Sequence, residues 1–147
     1  LGEQHRLDVI YIATQNSFEG VSLTMRIGSR LPLFRSAIGR AILVGMSDAE
    51  REQIFQVAAQ QGQDVEDEGR ANYKAGLSEY KAKGFCSSYG DWRSDVNGIA
   101  VPVMGTDGKR VYGLNVGGPS FGVKKKQLET VYAPRLIKAA ELISLRG

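Results

Sequence analysis

Histidine and cysteine occur once each in this chain, as His5 and Cys86. A Cys–His couple would supply a thiolate nucleophile and its base. The two lie far apart in sequence and nothing around either supports the pairing, so Cys86 reads as a buried, unreactive thiol. Asp91 and Asp95 could offer a carboxylate pair for acid–base work, yet they flank Arg93 in a polar loop, the setting of a surface charge cluster. The acidic run Asp64, Glu66, Asp67 and Glu68 lacks the spaced acids, central glycine and distal glutamate of a calcium loop. Acidic residues favoured near a helix start explain it better. Lys124, Lys125 and Lys126 read as a solvated face at the start of a helix. No glycine-rich phosphate loop, His-Glu-x-x-His or Cys-x-x-Cys occurs. The chain reads as one that holds a molecule rather than transforming it, so we expect no enzyme activity, no cofactor and no metal.

The stretch that could do the holding runs from Asn97 to Pro119. Two β-rich segments flank Gly105-Thr106-Asp107-Gly108-Lys109-Arg110, and the Asp-Gly pair in it is a strong hairpin signal because glycine accepts a positive φ. On the second strand, alternation puts Tyr112, Leu114 and Val116 on one face and Gly113, Asn115 and Gly117 on the other. A face of glycine and asparagine leaves room above the backbone.

Other elements must place that face. Leu7 to Ala13 is a short β-rich run, and Val21 to Ile27 alternates apolar and polar residues, which predicts a strand with Val21, Leu23, Met25 and Ile27 inward. The two are expected to pair as a hairpin, with Gly28 to Pro32 a break. Ser36 stands where a helix N-cap is wanted, before Ala37 to Met46. Gly39 and Gly45 inside that helix imply close approach, either of the helix to a sheet or of a ligand to the helix. Ser47-Asp48-Ala49-Glu50 has capping-box spacing and predicts a helix from Asp48 to about Gln60. Gln61 to Glu68 reads as a loop, and Glu68 to Lys83 as a third helix stopped by Gly84. Phe85 to Tyr89 resumes extended structure, and Gly90 to Val96 is a loop carrying Trp92. Lys124 to Arg146 repeats apolar residues at helical spacing, with Pro134 expected to kink or divide it.

The resulting order predicts an α+β domain, an antiparallel β-sheet flanked by α-helices. At 147 residues the chain is long enough for one domain with a proper core. Hydrophobic residues at 42% and charged residues at 24% are ordinary globular values, which argues against disorder. No apolar run approaches the roughly 20 residues that span a bilayer, so no membrane partner is expected. A net charge of +3 scattered along the chain gives no basic stripe for direct DNA binding. A single cysteine fits a reducing cytoplasm.

The run Gly28-Ser-Arg-Leu-Pro-Leu-Phe-Arg-Ser-Ala-Ile-Gly-Arg-Ala41 resembles the signature of the effector-binding domain of IclR-type transcriptional regulators. Lys83-Gly84-Phe85, Ile99-Ala100-Val101-Pro102-Val103 and Leu114-Asn115-Val116-Gly117-Gly118-Pro119 follow in that family's order and spacing. The resemblance covers nearly the whole chain. It implies a GAF-like fold, a small-molecule effector, homo-oligomers (dimer or tetramer), and a separate N-terminal winged helix-turn-helix that contacts DNA and is absent from this sequence. The pocket it implies is lined by Leu23, Leu31, Val96, Ala37 and Ile38, with polar contacts from the positions of Ser88, Gly98, Asn115 and Gly117. Amides at the helix start could receive a metabolite's carboxylate. Relatives often carry an acid where this chain has Ser88, some a cysteine where it has Gly98, and commonly a serine pair where it has Asn115 and Gly117. Those departures imply a bulkier or more aromatic effector, with Tyr89 or Trp92 as a wall. The rival readings are an enzyme on a GAF-like scaffold and a dimerisation module without a ligand.

Overall fold

The computed structural model describes residues 1–16 and 25–145. Its strands are β1 (Gly2–His5), β2 (Asp8–Tyr11), β3 (Arg30–Pro32), β4 (Cys86–Tyr89), β5 (Val96–Met104) and β6 (Val111–Pro119). They form one antiparallel sheet in the order β3-β2-β1-β6-β5-β4. The expected hairpin is present over its full length, with Val96 opposite Pro119 and Met104 opposite Val111. Gly108 takes φ +69° in the turn. Asp107 Oδ1 accepts from the Lys109 and Arg110 amides at 2.9 Å each, which holds the Asp107 carboxyl below the usual carboxylate range.

Helices cover both faces. On one side α1 (Ala37–Gly45) lies on β5 and β6, backed by α2 (Asp48–Gln61) and α3 (Gln63–Lys83). On the other lie α4 (Lys125–Gln127), a π turn over Leu128–Tyr132, and α5 (Ala133–Leu145). Two cores result, because alternation along β5 and β6 sends Ile99, Val101, Val103, Tyr112, Leu114 and Val116 towards α5 and the smaller residues towards α1.

The cap at Ser36 is real: its Oγ accepts from the Gly39 amide at 3.1 Å and donates to Pro32 O at 2.7 Å. Ser47 and Glu50 form the expected capping box. The two glycines of α1 serve packing of the chain on itself. A Cβ added at Gly39 would lie 1.9 Å from the Leu33 carbonyl oxygen, and one at Gly45 would lie 2.8 Å from the side chains of Pro102 and Val111. Gly84 ends α3 in the left-handed region at φ +84°.

Several expectations are corrected. Residues 17–24, and with them Val21 and Leu23, lie outside the described residues, but Ile27 sits in a turn and is 72% exposed rather than inward. Among the described residues β2 pairs with β1 and β3. β3 lies inside the stretch read as a break. The loop expected over Gln61 to Glu68 is one residue, Gly62 at φ +150°, after which Asp64 and Glu66 occupy the first turn of α3. There they complement the helix dipole. Pro134 does divide the last helix, through the π turn, in which the Ala133 amide reaches back to Leu128 O. The wider turn accommodates a residue that has no amide hydrogen and crowds the turn before it. Leu128, Leu136 and Ala140 face the core as the helical spacing predicts, whereas Val131 and Ile143 are exposed.

The edge strand β4 is shielded by α3. Glu79 accepts from the Ser87 amide at 2.7 Å and from Ser87 Oγ at 2.5 Å, which removes a free edge donor that another chain could pair with. On the same side, Tyr89 donates to Glu129 at 2.8 Å and Lys83 approaches that carboxylate at 3.3 Å. Burial would push the Glu129 carboxyl up, but the bonds from Tyr89 and Lys83 outweigh it and hold it below its ordinary value. A lowered folded value means the contribution is complete above the unfolded carboxylate range and is lost as pH falls through the folded one. Glu129→Gln should therefore lower Tm at pH 7, by an amount equivalent to about 1 kcal/mol. Melting curves of the two proteins should converge as the solution is acidified below the carboxylate range.

Candidate functional site

The register places Ser88 beside Gly98 and Gly98 beside Gly117, a row of small residues across β4, β5 and β6. The next row on the same face is Cys86, Ala100 and Asn115. Over the first row stands the start of α1: a Cβ added at Gly98 would come 3.9 Å from Ala37 Cβ. Leu31 is buried on β3 against the same core, and Val96 lies in line with Gly98 and Ala100 on β5. The structure thus brings Ala37, Ser88, Val96, Gly98, Asn115 and Gly117 onto one face at one end of α1. Leu23 lies outside the described residues.

Part of the room expected above the glycines is already filled. Ile38, fully buried, occupies the space over Gly2 and Gly113, since a Cβ on Gly113 would meet its side chain at 2.4 Å. At Gly117 a Cβ would lie 2.8 Å from the carbonyl oxygen of Asn97, so the close approach of two strands requires glycine there. Ser88 donates its hydroxyl proton to Arg35 O at 2.8 Å and ties β4 to the residue before the Ser36 cap. Gly98 differs from these, because an added Cβ would meet only ordinary contacts.

Tyr11 was not singled out by sequence reasoning. It is 5% exposed, and its hydroxyl accepts from Asn115 Nδ2 at 2.5 Å. The signal available was its inward position with Val9 on the Leu7 to Ala13 run: a tyrosine aimed at a core needs a partner for its hydroxyl. Burial pushes the Tyr11 phenol up, more than the bond from Asn115 lowers it.

Tyr89 and Trp92, expected as alternative walls, lie on opposite sides of the sheet. Tyr89 packs with the α5 core and Trp92 against the α1 core. Cys86 is fully buried, donates to Gly76 O at 3.5 Å, and has its thiol pushed up to about 12, chiefly by burial, the value of an unreactive thiol.

Arg40 fastens this end of α1. Its guanidinium donates to Phe34 O at 3.1 Å, Ser87 O at 2.8 Å, Asp91 Oδ2 at 2.9 Å and Asn72 Oδ1 at 2.9 Å. Beside it a cleft of about 380 Å³ is lined by Arg35, Arg40, Glu68, Asn72, Ala75 and Asp91. A second, of about 270 Å³, lies between α2 and α3. Both are walled by ion pairs, Arg35 with Glu68 and Arg40 with Asp91 in the first, Arg51 with Asp48 and Arg70 with Glu52 in the second. With their charges mutually satisfied, neither presents an unbalanced charge to a ligand. Among the described residues no group of three or more metal-ligating side chains converges, and no helix is long and apolar enough to cross a membrane.

A curled antiparallel sheet flanked by helices is the α+β architecture of a GAF-like effector-binding domain. The family model described as bacterial transcriptional regulator IclR C-terminal matches residues 1–145, and the chain belongs to that family. Among its relatives, the Pca regulon regulatory protein of Pseudomonas putida is 26% identical over 148 residues, 90% of this chain and 46% of that protein. An IclR family transcriptional regulator from Brucella abortus superposes with a TM-score of 0.84 at 32% identity, covering 99% of this chain and 55% of that one. The inducer-binding domain of the PobR transcription factor from Acinetobacter, a double mutant solved with 3-hydroxybenzoic acid, superposes with a TM-score of 0.72 at 19% identity, covering 97% and 85%. The chain therefore spans about half the length of the regulators it matches.

Proposed function

We propose that this chain is the effector-sensing half of a transcriptional regulator, binding a small organic acid, aromatic in its favoured form, on the α1 side of the sheet. The observation that carries the reading is the convergence of Ala37, Ser88, Gly98 and Asn115 within a chain matched to the IclR C-terminal family over residues 1–145. The amides of the first turn of α1 supply donors for a carboxylate, and Asn115 and Tyr11 supply neutral hydrogen-bonding groups. A separate N-terminal domain would contact DNA. Effector binding would change DNA affinity by its preference for one arrangement of the assembled domains. Assembly into dimers or tetramers belongs to the same reading.

The test is a panel of aromatic and aliphatic acids read by thermal shift and by the fluorescence of Trp92, the only tryptophan. A ligand at a hundred times its Kd should add about 2.7 kcal/mol, a shift of several degrees. If neither signal moves for any acid at millimolar concentration, the reading falls. Gly98→Ala offers a finer check. Its Cβ makes only ordinary contacts, so stability should change by less than about 1 kcal/mol, while the methyl group takes space on the floor of the site and should weaken the effector's thermal shift.

A further inference from the structure

Phe121 is 72% exposed, yet the turn that carries it is firmly held. The Gly122 and Val123 amides donate to Pro119 O at 3.1 and 2.8 Å, and the Ser120 amide donates to Asp95 O at 2.7 Å. Asn97 Nδ2 donates to Val123 O at 2.9 Å, and Val123 packs into the α5 core. A large ring displayed on fixed backbone has little entropy left to lose on contact. Lys124, Lys125 and Lys126 follow it, all exposed. Lys125 Nζ stands 5.3 Å from the centroid of the Tyr89 ring, and among the described residues none of the three lysines makes an ion pair.

The chain carries a matching surface elsewhere. The cleft of about 270 Å³ between α2 and α3 is lined by Phe55 and Tyr73, with the Arg70 guanidinium 4.6 Å over the first ring and that of Arg51 4.3 Å over the second. A cavity of roughly 150 Å³ takes a benzene ring, and a ring entering this cleft meets guanidinium groups that attract its face. The walls are neutral through their ion pairs, but the surroundings are not: from Asp48 to Arg70 the two helices hold seven acids against two arginines. Among the described residues Glu50, Asp64 and Asp67 have no cationic partner.

We propose that Phe121 of one copy of this chain enters the α2–α3 cleft of another, with Lys124 to Lys126 set against that copy's acidic helices; this rests on the assembly reading above and not on the effector. Opposite charges bring the two patches together and fix their register, while the buried ring holds them. Each copy bears one ring and one cleft, so the contact joins unlike patches.

Sedimentation velocity on the purified protein tests this, with circular dichroism melts confirming that each variant folds. The expected result is self-association at high micromolar concentration that Phe121→Ser weakens at least tenfold. Glu52→Lys, which reverses a charge on the cleft wall, should do the same, and molar salt should weaken wild-type association severalfold. A crossed mixture reads the geometry directly. Phe121→Ser keeps its cleft and Glu52→Lys keeps its ring, so the two together should form one-to-one dimers where neither associates alone. A contact between like patches does not give that result. An oligomer indifferent to Phe121→Ser or to salt, or a crossed mixture that stays monomeric, overturns the proposal and leaves assembly through another face standing. A wild type that is monomeric throughout overturns both.

Discussion

Gly39→Ala is expected to destabilise the protein by at least about 3 kcal/mol, lowering Tm by roughly 10 °C for a chain of this size. The direction is not obvious from the helix alone. In an exposed helix interior the same change should stabilise by up to about 1 kcal/mol, because alanine loses less backbone entropy than glycine. The sign is decided by what the methyl group meets. At Gly39 that is the Leu33 backbone, with the carbonyl oxygen 1.9 Å and the carbonyl carbon 2.5 Å from the new Cβ. Backbone cannot rotate out of the way as a side chain can, so α1 must lift from the β3–α1 turn, and the first turn of α1, where the site lies, lifts with it. Gly76 in α3 is the matched comparison. A Cβ there would meet Arg40, Cys86 and Val44 side chains at 3.5 to 3.8 Å, ordinary contact distances. Gly76→Ala should therefore raise Tm, by an amount equivalent to about 0.5 to 1 kcal/mol. Thermal melts of both variants decide the matter. If they shift in the same direction, intrinsic helix propensity rather than contact geometry governs these positions.

What could be read in the sequence was what short-range chemistry determines. Asp107-Gly108 sets a turn within a few residues, Ser36 and the Ser47–Glu50 box satisfy helix amides within one turn, and Gly84 ends a helix by its own φ. What escaped was determined by partners distant in the chain. β1 is a polar run, Glu3-Gln4-His5, that becomes a strand because β6, more than a hundred residues later, and β2 both pair with it. β3 is three residues ending in Pro32, too short to show alternation. The acidic stretch after Gly62 looked like a loop because solvated helix starts and loops share a composition. The same division runs through the site. Alternation along β6 revealed a small face, but it could not show that Ile38 occupies the space over Gly113, that strand backbone requires Gly117, or that Tyr11 arrives from β2 to meet Asn115. Of the glycines on that face, Gly98 alone would accept a Cβ at ordinary contact distances.

Arg40→Met should cost about 3 kcal/mol and, in addition, weaken effector binding. The side chain is 12% exposed, and its guanidinium holds four acceptors: Phe34 O in the turn before α1, Ser87 O on β4, Asn72 on α3 and Asp91 in the loop that carries Trp92. Methionine keeps much of the stem's packing, but it leaves two backbone carbonyls and an amide oxygen without a donor in a place where water reaches poorly, at about 1 to 3 kcal/mol for each one that stays unpaired. The aspartate contributes least, since Asp91 is 51% exposed and solvent can take over. Asp91→Asn should thus cost well under 1 kcal/mol, and a double-mutant cycle between the two positions should show coupling small beside the loss from Arg40→Met alone. The effect on binding follows from what is fastened. Phe34 O and Ser87 O flank Ser36 and Ser88, so Arg40 fixes the start of α1 relative to β4. Once that start is free to shift, only a fraction of molecules holds the binding geometry, and apparent affinity falls by that fraction. Arg40→Met should therefore lower affinity for every acid the site takes by the same factor. A uniform loss of that kind, measured by calorimetry across a panel of acids, marks a residue that positions the site rather than one that touches the ligand.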